Sequence, residues 1–258
     1  MTSAVATLSM YDWPETSYAM DRLWDGICAE LLDRGIDAPV ALNRQEHPVS
    51  LWSKPELIIG QTCGWPYANY LREQVVPFAR FAYDLHDYEP GDYNSVYIGN
   101  SDEDADHLAD PQSFDFIEKL AINGDDSQSG FHVFAEITGK PSEESIPKEK
   151  RILTGAHRNS VAAVASGEAN VAAIDAVAFE LAKRYDTEAV SNIVVLGNSR
   201  SKPGLPLITS KANAHLVPEL IQAVKSAVEN AESSILETLL ITGVVDAKED
   251  DYLGFVLN

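Results

Sequence analysis

Short apolar runs alternate with amphipathic stretches along the whole chain, the pattern of strands in a sheet with helices packed on it. Ala4–Met10 predicts a first strand. Residues 15–34 predict a helix with Tyr18, Leu23, Ile27 and Leu31 near one face and Gly35 as its stop. Leu57–Gly60 predicts a short strand, and Trp65–Gln74 a helix with Pro66 in its first turn. Period-two alternation marks VVPFARFAY and, after the Glu89-Pro90-Gly91-Asp92 turn, YNSVYIG as strands. Beyond an acidic loop at Asn100–Pro111, the pattern predicts a strand (Lys119–Ile122), a helix (Phe131–Thr138) and a polar insertion over 139–150. A strand (Arg151–Thr154), a helix (Asn159–Ser166, closed by Gly167) and a strand (Val171–Ile174) follow. Next come a helix over 176–185 and strands at Asn192–Gly197 and Leu207–Ser210, and a long helix, Pro218–Ser233, completes the series.

Length allows one large domain or two lobes of about 100–150 residues. Loop-rich stretches near 84–92 and 198–206 are the places for the chain to cross between lobes. The expected division is residues 1–88 with 203–258 as one lobe and 89–202 as the other, with a ligand cleft between them. With 45% apolar and 23% charged residues, the composition is that of a globular protein with a sizeable core.

Charge narrows the partners. The chain carries 40 acidic and 19 basic residues, a formal net charge of −21. Nucleic acids and anionic membrane surfaces need basic patches, so neither is an expected partner. The same charge repels a small anion at long range, so an anion site here must rely on local donors. Cys28 and Cys63 have no CxxC spacing, which makes a zinc site or disulfide framework unexpected and leaves a single bridge open. No run reaches the ~18 apolar residues of a membrane-spanning helix. The N-terminus does not read as a secretory signal, which places the chain in the cytoplasm if the sequence is complete.

Three strand-to-helix corners carry the candidate chemistry. Asn123–Gly130 (NGDDSQSG) combines glycine with hydroxyl residues where backbone N–H groups at a helix start are unpaired. Ser127 and Ser129 add donors, although Asp126 or Ser127 also reads as an ordinary helix cap. The loop lacks the lysine of a P-loop. Thr154–Ser160 (TGAHRNS) repeats the arrangement with His157 as a donor or a surface histidine, and Arg158 as a donor or an ion-pair partner. Asp175 emerges from the apolar run VAAI, either beside a ligand at the strand's carboxyl end or as the cap of the next helix. Earlier in the chain, Tyr11-Asp12-Trp13 and Gly60–Tyr67 follow predicted strands. There Gln61 and Thr62 offer hydrogen bonds, and Trp13, Trp65 and Tyr67 read as site or core aromatics.

The ordered set MYD, GQTCGWPY, YNSVYIG, DDSQSG, TGAHRNS and NVAAIDAV over residues 8–180 resembles the phosphate/phosphonate-binding branch of the type II periplasmic binding proteins. The resemblance implies an α/β, two-lobed fold with mixed sheets and two crossovers, and a small oxyanion clamped in a central cleft. It implies that Ser127, Gln128 and Ser129 hold the anion's oxygens, joined by His157 and Tyr93. It further implies that Tyr11, Gln61 and Thr62 close the seat and that Asp175 meets its far or protonated side. Gln128 stands where the family often has Thr or Ser. The implied role is a periplasmic, monomeric solute-binding protein serving an ABC permease, without cofactor, metal or catalysis. Two other classes remain open: an enzyme on this scaffold with His157 and Asp175 as acid and base, and a ligand sensor.

Overall fold

The computed structural model describes residues 4–85, 88–101 and 117–255. Their contacts divide into two compact units, one from 1–92 with 203–258 and one from 93–202. The expected acidic loop at Asn100–Pro111 lies mostly outside the described residues.

The first unit begins with strand β1 (Val5–Thr7) and helix α1 (Ser17–Asp33). Helix α1 buries Ala19, Met20, Leu23, Trp24, Ile27, Cys28 and Leu31, each large apolar side chain contributing roughly 1.5–3 kcal/mol. Tyr18, expected on that face, is 72% exposed. It falls one position before the stripe that Ala19 starts, so the rotation of the helix turns it to solvent. Gly35 does end the helix: at φ +74° it donates to Leu32 O while Ile36 N–H reaches back to Leu31 O. This paired return satisfies carbonyls that would otherwise be orphaned.

Helix α2 (Pro48–Trp52), strand β2 (Leu57–Gln61) and a short turn α3 (Gly64–Pro66) come next. The helix expected over Trp65–Gln74 is this turn continued as a π-helical turn, Tyr67–Leu71. Phe255 packs on Gly64 so closely that any Cβ there would lie 2.8 Å from its ring. Strand β3 (Val75–Tyr83) matches its alternating pattern.

The run YNSVYIG is not one strand. It divides into β4 (Asp92–Tyr93) and β5 (Ser95–Asn100), with Asn94 between them. In the second unit follow β6 (Leu120–Ile122) and then, where a helix was expected over Phe131–Thr138, a 3₁₀ turn (His132–Phe134) running into a single turn α4 (Ala135–Thr138). Gly139, left-handed at φ +64°, stops it. The polar insertion contains α5 (Ser142–Ser145) and a 3₁₀ turn at Lys148–Lys150. Strand β7 (Arg151–Leu153), helix α6 (His157–Ala165), strand β8 (Val171–Asp175), helices α7 (Ala176–Tyr185) and α8 (Thr187–Ser191), strand β9 (Ile193–Asn198) and strand β10 (Lys202–Pro203) complete the middle of the chain.

The chain then re-enters the first unit with β11 (Pro206–Ser210) and α9 (Val217–Asn230). The helix expected to reach Ser233 stops at Asn230 because Ala231 turns extended, and a second helix α10 (Ser233–Leu239) begins. Strand β12 (Ile241–Asp246) was not expected. The turn into it is made by Leu240 in the left-handed region, φ +60°, a position where glycine would have signalled the break. Burial of Leu240 offsets the strain.

Each unit has its own five-stranded sheet: β1-β2-β11-β3-β12 in the first and β7-β6-β8-β5-β9 in the second. Strands β1 and β2 run parallel and β11 antiparallel to β2 and β3. In the second, β6 is parallel to β7 and β8, and β5 is antiparallel to β8 and β9. The strands β4 and β10 form a separate pair, within which the chain passes from one unit to the other. One core of the first unit lies among α1, α9 and α10 and the sheet; another holds Trp52, Tyr67, Leu71, Tyr252 and Phe255. Tyr97, Leu120, Phe131, Phe134 and Val171 lie at the centre of a second-unit core.

Candidate functional site

Parallel strands bring their carboxyl ends, and the loops that follow, to one edge of a sheet. In the second unit this edge gathers the turn after β6, the corner after β7 and the end of β8. The antiparallel β5 places its first residues at the same edge, since Ser95 pairs with Asp175.

The turn after β6 is tied internally by Ser127. Its N–H donates to Gly124 O at 3.1 Å, its Oγ accepts from Gly130 N–H at 3.0 Å, and its carbonyl accepts from Phe131 and His132 N–H. These bonds tie a turn rather than cap a helix, since the next helical turn has Phe131 at its N-cap with no side-chain cap, and they leave the backbone N–H groups of Gln128 and Ser129 without a hydrogen bond among the described residues. Ser127, Gln128 and Ser129 are all buried. A side chain at Gly130 would meet Asn123 Oδ1 at 1.9 Å, so a larger residue there would have to displace the Asn123 side chain from the turn. Because the following helical stretch is one 3₁₀ turn and one α turn, the amides themselves, rather than a long helix dipole, supply the positive end.

The corner after β7 is joined to this turn by a side-chain contact: Ser129 Oγ lies 2.9 Å from His157 Nε2. Helix α6 begins at His157, and its first intrahelical bond is Ser160 N–H to Ala156 O, so the opening amides lie ahead of the ladder. Thr154 fixes the corner, donating from Oγ1 to Ile122 O at 3.0 Å and meeting Ser160 Oγ at 2.7 Å. Burial pushes the His157 imidazole down to about 4, with the Ala173 backbone pulling weakly the other way. The ring is therefore neutral at physiological pH. The flanking cations are engaged elsewhere: Arg158 Nη2 lies 2.7 Å from Asp186 Oδ1, and Arg151 Nη1 lies 3.3 Å from Asp125 Oδ1. Of the two roles open to Arg158, the ion pair is the one observed.

Asp175 is 2% exposed and caps α7; its Oδ1 accepts from Val177 N–H at 2.9 Å and Ala178 N–H at 3.2 Å. Tyr93 is buried at the end of β4. The structure thus brings Ser127, Gln128, Ser129, His157 and Asp175 to one sheet edge, with Tyr93 two residues before Ser95.

The first unit gathers a second set at the carboxyl ends of β1, β2 and β3. Thr16 Oγ1 donates to Tyr11 O at 2.7 Å and accepts from Trp13 N–H, holding the turn that presents Tyr11. The Tyr11 and Tyr83 rings meet edge to face at 5.2 Å, and Gln61 Nε2 donates to Tyr83 OH at 3.2 Å. Thr62 is fully buried, its N–H donating to Pro206 O. Trp65 and Tyr67 are buried; Tyr67 belongs to the core, and burial pushes its hydroxyl up to about 12. Cys28 and Cys63 are both free thiols.

Tyr83 and Asn94 were not singled out from the sequence. Tyr83 closes the alternating run VVPFARFAY and reads there as one more strand aromatic. Asn94 carried a usable signal, because asparagine is unfavourable inside a strand and marks the break in YNSVYIG. Among the described residues no group of His, Cys, Asp and Glu is placed to hold a metal ion, and no helix is long and apolar enough to cross a membrane.

Comparison with known proteins gives a family match over residues 56–252, to the ABC transporter, phosphonate, periplasmic substrate-binding proteins. The fold is similar to that of PhnD1 from Prochlorococcus marinus in complex with methylphosphonate: TM-score 0.67, 12% identity, 98% of this chain and 95% of that one covered. It is similar also to a binding protein component of a Pseudomonas aeruginosa ABC phosphonate transporter, with TM-score 0.67, 19% identity and coverage of 98% and 83%. A Xanthomonas citri protein bound to ATP aligns with TM-score 0.68 at 12% identity, covering 96% of this chain and 92% of that one. At these identities the likeness is one of fold, that of the periplasmic binding proteins. No curated protein matches by sequence.

Proposed function

The chain belongs to the periplasmic substrate-binding proteins of phosphonate ABC transporters, and we propose that its ligand is a small phosphonate- or phosphate-like oxyanion seated on the second unit's sheet edge. The solute-binding role is that of the family. The observation that carries the site is the 2.9 Å contact between Ser129 Oγ and His157 Nε2, which joins two corners distant in sequence beside two unbonded amides. Tetrahedral oxygens suit this set: the amides of Gln128 and Ser129 donate, the Ser129 hydroxyl donates when turned to the ligand, and the Gln128 side chain adds a further donor. Neutral donors hold the charge, which answers the conflict between an acidic chain and an anionic ligand. Hydrogen bonds to a charged group contribute roughly 1.5–3 kcal/mol each.

Asp175 and Tyr93 complete the proposed contacts in this unit; Tyr11, Gln61 and Thr62 are proposed contacts from the first, carried by the resemblance. The protein acts by binding without turnover, as a periplasmic monomer delivering its ligand to an ABC permease. A half-buried His157 held neutral and an Asp175 engaged by two amides are poorly prepared for acid–base chemistry, which supports receptor over enzyme.

Calorimetric titration of the full chain with phosphate, methylphosphonate, aminoalkylphosphonates, sulfate and methanesulfonate tests the reading. At least one phosphorus oxyanion binds, without product, and the Ser127→Ala/Ser129→Ala double variant abolishes the heat. Undiminished binding by the double variant would refute the placement; no binding by wild type would refute the ligand class.

A further inference from the structure

Asn94 is 3% exposed, and among the described residues neither its Oδ1 nor its Nδ2 has a hydrogen-bond partner. Buried amides left unsatisfied at both atoms are rare in folded proteins unless a ligand or water completes them. The surrounding structure does not explain this one. Helix α7 already has its cap in Asp175, and the β5 ladder starts one residue later, at Ser95. The backbone of Asn94 is in use, since its carbonyl accepts from Ala176 N–H at 3.0 Å, but the side chain contributes to neither element. That bond and the Ser95–Asp175 pairing place Asn94 at the same sheet edge as Asp175 and the Ser129–His157 contact.

Resting on the proposed site, we infer that Asn94 is a ligand contact that recognises an oxyacid carrying one proton. A carboxamide presents an acceptor and donors in one plane. A singly protonated phosphonate or phosphate offers the complement, a P–OH that donates to Oδ1 and an ionised oxygen that accepts from Nδ2. Asp175 beside it is an acceptor with amides already on one oxygen, and it favours the protonated face of the ligand over a fully ionised one. A sulfonate has no hydroxyl, so it leaves Oδ1 facing a lone pair. A site built to bond a hydroxyl rejects the analogue that lacks it. The selectivity is thus for phosphorus oxyacids over sulfur oxyanions.

Calorimetric titration with methylphosphonate and with methanesulfonate, at mildly acidic pH where the phosphonate keeps a proton, tests this on wild type, Asn94→Ala and Asn94→Leu. Both variants are expected to weaken methylphosphonate by roughly ten- to hundredfold, the loss of a hydrogen bond to a charged group, and to shrink its preference over methanesulfonate by the same factor. The ligand-free Asn94→Leu protein should melt no lower than wild type, since an unsatisfied amide is replaced by an apolar group of similar size. Asn94→Ala reads the affinity should leucine not be accommodated. Methylphosphonate affinity within twofold of wild type, or equal losses for both anions, would overturn the inference while leaving the site's placement intact. A wild type that binds no phosphorus oxyanion would overturn both.

Discussion

The two sheet edges differ in how their polar groups are satisfied. In the first unit Gln61 is bonded to Tyr83, Tyr83 packs on Tyr11 and Thr16 is spent on fixing the Tyr11 turn, so this cluster is satisfied although the buried Tyr67 hydroxyl nearby in the chain has no hydrogen bond among the described residues. In the second, the amides of Gln128 and Ser129 and the side chain of Asn94 have no hydrogen bond among the described residues. A satisfied cluster stabilises its own unit. An unsatisfied one is complete only with something else bound, which makes it the better guide to a ligand.

Three substitutions break or sharpen this contrast. The largest effect falls on Asp175, a carboxylate at the second edge that already caps a helix. Asp175→Ala removes both α7 capping bonds and should lower stability by about 1–3 kcal/mol in urea unfolding, with Asn at this position recovering most of it. A change in affinity alone, at unaltered stability, would move Asp175 from cap to dedicated ligand contact. Next, Gln61→Leu at the first edge should cost about 1 kcal/mol, the net value of one partly buried hydrogen bond. Asn94→Leu at the second should cost none, and equal losses in the two variants would erase the difference between the edges.

The smallest effect is in acid. Burial holds the folded-state pKa of His157 at about 4, below its ordinary value of about 6.5, so between these values the unfolded chain binds the extra proton. Stability from this group is full above the higher value and is lost as pH falls toward the lower one. Wild-type melting temperature should therefore fall by a few degrees more than that of His157→Gln across this window. Parallel pH profiles would show that His157 is not held neutral in the folded protein.

The hydrophobic pattern alone determined much of this protein. Strand β3 and helix α7 lie where alternation and amphipathicity placed them, because burying one face is a local demand that residue spacing records. The corners of the proposed site were legible as strand-to-helix turns for a similar reason: glycine and hydroxyl residues between a strand and a helix mark where the chain turns. Tertiary packing decided what spacing leaves ambiguous. Phe255 pressing on Gly64 accompanies a π turn where a regular helix was expected, and Leu240 accepts a left-handed turn because its side chain is buried. It also decided which polar groups find partners. Asp175 read equally as cap or contact until α7 settled against it, Ser129 and His157 became neighbours only through the parallel pairing of β6 and β7, and Asn94 was left over. Hydrogen-bond satisfaction depends on atoms far apart in the chain, so no local pattern carries it.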